Sequence, residues 1–449
     1  MPIRDIIVTL IVFAVVPMAL RHPYVGVMLW EWLSLMNPHR LSWGFAYNFP
    51  FAAIGAGVTL AGLFITKDPI RFPRHPAVYL LLAFCAWMCV TTVFAFHFGP
   101  SAAQLSKVLK IQLMTLVALL VLHERRHIQM FVWINVLSLG FYGIKGGIYT
   151  IQTAGAGRVW GPDGSFVAGN NEIGLAMIIT IPLMYYLRLT TENIWVRRGL
   201  LVAMGLTAIA TIGTTSRGAF LAIMAMSFVL WLRAPGKIIS GALLLAFGGL
   251  VLAFMPESWH ARMDTIINYE QDGSAMGRLH AWATMINLAN DRLTGGGFES
   301  YTSLIFGLYS PVLDKARAAH SIYFQVLGEH GWIGFALFML LWLLVWRGAS
   351  RLRGQTKGVE EFAWIYHLAG MCQVSLVGYA VGGAFLSLAY FDYPYNLLII
   401  VVITQRWLSS QLAARSVDLR PEASHAVKDT ADLQATGAMR HSRPLSSRP

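Results

Sequence analysis

Charge is what this chain has least of. Asp, Glu, Lys and Arg make up 12% of its 449 residues, against roughly 25% in soluble domains. That shortage excludes an ordinary water-soluble globule. Cysteine is scarce too: Cys85, Cys89 and Cys372 each sit inside an apolar block and read as small buried hydrophobes. Neither a disulfide framework nor a cysteine metal site is supported. Short alternating strands are missing, which excludes a transmembrane β-barrel. No cleavable leader is expected, because the first apolar block lacks a small-residue cleavage site and runs on into further apolar sequence. The net charge of +12 is partly a matter of topology, and no nucleic-acid partner is expected.

Hydrophobic residues, by contrast, make up 56% of the chain. They fall in blocks of about 17–25, the length that crosses a bilayer as helix. The blocks lie near 5–36 (interrupted by Pro17, Arg21 and Pro23), 48–66, 76–96, 101–122, 128–151, 170–188, 195–213, 217–232, 236–255, 321–346, 361–386 and 390–409. They predict an all-α polytopic membrane protein of about 12 transmembrane helices, or 13 if 5–36 is a hairpin. Residues 1–410 form the membrane domain, and the polar stretch 411–449 reads as a disordered cytoplasmic tail.

Alternate connections are rich in Lys and Arg: Lys67/Arg71/Arg74, Arg125/Arg126, Arg188/Arg197/Arg198, Arg233/Lys237 and Arg347/Arg351/Arg353/Lys357. The positive-inside rule makes these cytoplasmic. The connections 37–47, 97–100, 152–169, 214–216, 256–320 and 387–389 then face outward, while the N-terminus falls inside only if 5–36 is a single span. The outer loop 256–320 is far longer than the rest. Ser274 is expected to cap a helix from Ala275, with Trp282, Met285, Ile286 and Ala289 along one face and 295-GGG-297 ending it. That amphipathic helix is expected to lie on the outer leaflet.

Set aside the cytoplasmic arginines, and the remaining cations fall on the outer side. They are Arg158 in 158-RVWGPDGSFVAGNNEIGLAM-177, Arg217 in 213-GTTSRGAFLA-222, Arg278 in 277-GRLHAWATM-285, and Lys107 and Lys110 in 104-QLSKVLKIQL-113. His320 heads the next span, in 320-HSIYFQVLGEHGWIGFALFMLLWLLVW-346. Ionisable groups at membrane depth are costly and point to function. Cations converging on one side suggest an anionic ligand, and arginine forks suit phosphate oxygens. A lipid diphosphate fits such a site. Structural alternatives stand beside each reading: Arg217 as a headgroup anchor, Arg158 and Arg278 paired with Asp163 or Asp272, Lys107 and Lys110 snorkelling, His320 bonding a carbonyl. Glu329 and His330 lie deeper and read as structural. Asn170 and Asn171 read as caps of the following helix.

Together 214-TTSRG-218, Arg278 with Trp282, 294-TGGGF-298, His320-Ser321-Ile322-Tyr323, 329-EHG-331 and the upstream 164-GSFVAGN-170 resemble the O-antigen ligase superfamily over about residues 76–410. The start, including 37-NPHRLSWGFAYNFPF-51, resembles a branch of O-glycosylation ligases associated with exosortase systems. The resemblance implies a GT-C type, metal-independent, inverting glycosyltransferase that uses no cofactor. It implies an undecaprenyl-diphosphate-linked glycan as donor and a lipid A–core hydroxyl as acceptor, at the periplasmic face of the bacterial inner membrane. Relatives polymerise the glycan or modify protein hydroxyls instead.

On that reading, Arg217 and Arg278 meet the charge on the departing diphosphate, with Arg158 and Lys110 assisting. His320 accepts the acceptor's proton or donates a hydrogen bond to the diphosphate. Tyr323 and Lys107 support them. A lipid-linked glycan transporter is the other class considered. It calls for internal repeats and polar groups near the midplane, and the sequence carries no convincing repeat.

Overall fold

A computed structural model describes residues 3–234, 236–264, 273–312 and 315–439, with side chains to Arg415. Its described residues form helices and no strands. In order these are α1 (Ile3–Arg21), α2 (Pro23–Met36), α3 (Phe51–Ile65), α4 (Pro76–Val93), α5 (Phe98–Val121), α6 (Arg125–Gln152), α7 (Asn170–Thr190) and α8 (Ile194–Gly213). Then come α9 (Arg217–Arg233), α10 (Lys237–Phe254), α11 (Glu257–Asp264), α12 (Gly273–Asp291), α13 (Ser303–Tyr309), α14 (Ile322–Thr356), α15 (Ala363–Gly383) and α16 (Asp392–Met439). Among the described residues nine helices are long and apolar enough to cross a membrane. The chain is a multi-pass α-helical membrane protein. Most of the 411–449 stretch expected to be a tail has no described side chains.

Helix starts follow local chemistry. Pro23 and Pro76 occupy first-turn positions, where the missing N–H costs nothing. The Ser216 hydroxyl accepts from Ala219 N–H and opens α9, and Asn193 does the same for α8. The block 5–36 is two helices, not one broken span, meeting at His22–Pro23. Asn170 is helical from the outset and caps nothing; its carboxamide donates to the Thr214 carbonyl at 2.8 Å. Ser274 likewise lies inside the first turn of α12.

Two ends result. At one, His22 Nδ1 lies 3.0 Å from Asp68, Arg233 and Arg353 both donate to Gln373, and Arg406 donates to the Arg71 and Leu119 carbonyls. The expected cytoplasmic cations gather here. At the other end Arg4 donates to the Leu41 carbonyl, which puts the start of α1 beside the 37–48 connection. Among the described residues, five other than glycine have positive φ: Asn37, Ala154, Thr215, Glu299 and His320. All lie at this second end, and backbone strain of this kind clusters at functional sites.

α7 is the most enclosed of the candidate spans, and α10 the most exposed. Deep in the bundle, Asn396 donates to Glu31 and to Asn135, and Ser34 donates to Asp392. These cross-helix bonds tie α2, α6 and α16 where lipid offers no substitute partner.

Candidate functional site

α12 packs on α14 and buries Ala281, Met285 and Leu288 against Ile305, Phe306 and Ala319. The docking explains the Arg278/Trp282 pair. Residues four apart share a helix face. Trp282 donates from its indole N–H to the Ala319 carbonyl at 2.7 Å and stacks on Phe324 at 4.8 Å. It pins the residue before His320, and Arg278 one turn earlier reaches the imidazole electrostatically.

His320 turns the chain into α14 with φ 45°, a left-handed conformation that histidine adopts more readily than bulkier branched residues. Burial first, then the Arg278 and Arg317 guanidiniums, hold its imidazole below the usual histidine range. The shift favours the neutral ring, the form that can accept a proton. The next residue, Ser321, has a buried hydroxyl without a hydrogen-bond partner. Tyr323 donates to the Ala380 carbonyl at 2.8 Å and braces α14 on α15.

Arg217 heads α9 after a turn held from two sides. Asn170 bonds the Thr214 carbonyl, and Arg262 of α11 donates to the Thr215 carbonyl at 2.9 Å. Trp259 adds an indole bond to the Ile212 carbonyl at 3.1 Å. Gly218 packs on Phe385 and Gly382, and Gly383 packs on Ile322. So the turn that carries Arg217 and the start of α14 meet across the end of α15. Glu172, in the first turn of α7, lies within electrostatic reach of Arg278.

The structure thus brings His320, Arg278 and Arg317 together with Glu172, and sets the Arg217 turn beside them. It does not bring Arg158, Lys107 or Lys110 into described contact with that group. All three are exposed, and Arg158 lies over the Trp160 ring, 5.9 Å from its centroid. Asp272, the alternative partner of Arg278, lies outside the described residues. Arg317 and Glu172 escaped the sequence reading. The signal for Arg317 was its place three residues before His320; Glu172 carries no sequence signal pointing at α12.

Glu329 and His330 sit in a buried hydrogen-bonded cluster. The Tyr390 hydroxyl donates to Glu329 at 2.5 Å and lies 2.8 Å from His330 Nε2; Thr91 lies 2.7 Å from His330 Nδ1. Glu329 also accepts from Glu299 N–H at 3.0 Å. The 294-TGGGF-298 loop is seated here. Gly296 and Gly297 N–H groups donate to the Gly328 and Glu329 carbonyls at 2.8 and 3.0 Å, freed by a break in α14 at Gly331. Phe298 packs edge-on against both His330 and Tyr390.

A family model described as O-antigen ligase matches residues 200–339, which include Arg217, Arg278 and His320. A family of unknown function, DUF5935, matches residues 3–192. No curated protein matches the chain. Among solved structures, a chain described under "Structural coordination of polymerization and crosslinking by a peptidoglycan synthase complex" is similar at 14% identity, covering 74% of this chain and 97% of that one, with a TM-score of 0.38. That likeness is too loose to support any conclusion about this chain.

Proposed function

We propose that this chain, whose residues 200–339 match the O-antigen ligase family model, is a glycosyltransferase moving O-antigen polysaccharide from undecaprenyl diphosphate to a lipid A–core hydroxyl. The observation that carries the reading is the pairing of a neutral-leaning His320 with Arg278 and Arg317 at the head of a membrane span. A base and anion-binding groups side by side are what hydroxyl attack on a lipid-diphosphate sugar requires.

The acceptor oxygen attacks the anomeric carbon while a ring nitrogen of His320 takes its proton. The bond from that carbon to the diphosphate oxygen breaks, and its electron pair leaves with the diphosphate. Arg217 and Arg278 meet that charge. In-line attack inverts the anomeric centre. The donor already carries its leaving group, so the chemistry calls on neither nucleotide nor metal. Glu172 beside Arg278 orients the guanidinium. The arginine-rich end of the bundle faces the cytoplasm on this reading, and the site faces the periplasm of the bacterial inner membrane.

Removing either arginine is expected to lower kcat about 10²–10³-fold, the usual cost of one transition-state donor. Lysine at Arg278 retains the charge but loses the planar fork and restores only part of the rate. The assay supplies purified protein with undecaprenyl-diphosphate-linked O-antigen and rough lipopolysaccharide, and products are resolved on a gel. A ladder on lipid A–core supports the ligase. Longer glycan still on the carrier makes the protein a polymerase, and transfer only to a polypeptide makes it a protein O-glycosylation ligase.

A further inference from the structure

We infer that the 37–48 and 153–169 connections form a second binding surface, beside the reaction site, for an anionic oligosaccharide. The inference deepens the transferase reading and rests on it for one point, that the bound saccharide is the acceptor.

The two connections are contiguous with each other and with the site. The first folds as 3-10 turns Pro38–Leu41 and Phe45–Asn48. α1 pins it: Arg4 donates to the Leu41 carbonyl at 3.0 Å, and Asp5 accepts from Ala46 N–H at 2.9 Å. The Arg40 guanidinium lies against Gly164 of the second connection, where a Cβ would come within 3.4 Å of its carbon. The far edge of that connection meets the Arg217 turn, because Val159 N–H donates to the Gly213 carbonyl at 3.3 Å.

Along this strip, three aromatic rings are each backed by an arginine. Arg4 lies 4.4 Å from the Trp43 ring, Arg40 4.7 Å from Tyr47, and Arg158 5.9 Å from Trp160. Trp43 is 77% and Trp160 58% exposed. A cation against one face orients a ring and leaves its other surface for a ligand. Broad rings with a polar edge suit sugar faces, and arginine suits phosphate or carboxylate substituents. The two connections carry one carboxylate, Asp163, while Asp5 is turned to a backbone N–H. The strip is thus complementary to an anion.

A headgroup belt is the ordinary reading of exposed tryptophan in membrane proteins. Belt residues occupy helix ends, as Trp195 does in the first turn of α8. Trp43 and Trp160 instead lie seven and eight residues beyond the ends of α2 and α6 at Met36 and Gln152. They sit in two connections that touch each other at Arg40 and Gly164, the second of which meets the Arg217 turn through Val159, and this favours the saccharide.

The test uses the His320→Ala protein in nanodiscs, so that nothing turns over. It is titrated with lipid-free, phosphorylated core oligosaccharide, and tryptophan fluorescence is read. Saturable binding is expected. Trp43→Ala with Trp160→Ala should weaken it at least about tenfold, as loss of interface tryptophans does, with an unchanged melting temperature. Dephosphorylated oligosaccharide should bind more weakly. Phenylalanine at both positions should restore part of the affinity. No binding, or equal binding by the double alanine variant, overturns the inference. So does a double variant that keeps the oligosaccharide but loses its hold on anionic lipid, which makes the strip a headgroup belt. Binding that persists while wild-type protein transfers nothing to lipid A–core counts against the transferase reading and leaves the surface standing.

Discussion

Alanine at His320 is expected to cut glycan transfer by about 10²–10⁴-fold, the range for losing a positioned general base, while the protein inserts and melts like the parent. His320 is half-buried at the end of the bundle, outside the packed core. Its left-handed backbone strains alanine as much as histidine, so His320→Asn, which tolerates that conformation, controls for backbone effects. The pH profile separates the two roles for the ring. Burial and the adjacent guanidiniums favour the neutral imidazole. As a base His320 is then active down through ordinary histidine pH, and the rate falls only once the pH passes below about 6.5, the unperturbed value. If the ring instead acts as a cation on the diphosphate, the rate rises as pH falls through the same window. The measurement is kcat/KM against pH in reconstituted protein. Undiminished transfer by His320→Ala sinks the assignment under either role.

Gly331→Ala is expected to cost the fold about 3 kcal/mol or more, among the largest effects of a single methyl group. Gly331 breaks α14 with φ 65° and ψ −171°, a conformation restricted essentially to glycine. A Cβ there would collide with the Leu293 carbonyl oxygen and come within 3.2 Å of Gly295 N. Both are backbone atoms, so no rotamer change relieves the contact. The break frees the Gly328 and Glu329 carbonyls for the glycine loop, and restoring regular helix would unseat that loop together with the Glu329–Tyr390–His330 contacts. Thermal unfolding in detergent should show a marked loss of stability or a failure to insert. Glu329→Gln, which keeps the shape and an acceptor for Glu299 N–H, should lose far less. A Gly331→Ala protein that melts like the parent would show that the break is dispensable.

His320 and Arg217 were legible as out-of-place polar groups at span ends, and Arg278 as a cation on the outer-loop helix. Trp282 was legible as an apolar residue on a helix face and as the partner of Arg278 in a motif, but not as the indole that holds the His320 turn. Arg158 looked equivalent to Arg217, yet its guanidinium lies over the Trp160 ring. Glu329 and His330 read as structural, but their partners Tyr390 and Thr91 come from the connection before α16 and from α4, far away in sequence.

By itself the sequence determined that the chain crosses a membrane repeatedly as helix. Block length and hydropathy are local sums, and lipid leaves an isolated segment few other ways to satisfy its backbone. Only the tertiary structure decided which polar groups meet: that α12 packs on α14, that Arg317 and Glu172 join His320 and Arg278, and that Lys107 and Lys110 make no described contact with them. Those outcomes depend on which helix faces interlock between segments distant in the chain, as Glu172 of α7 and Arg278 of α12 are, and a residue's own identity carries no record of that.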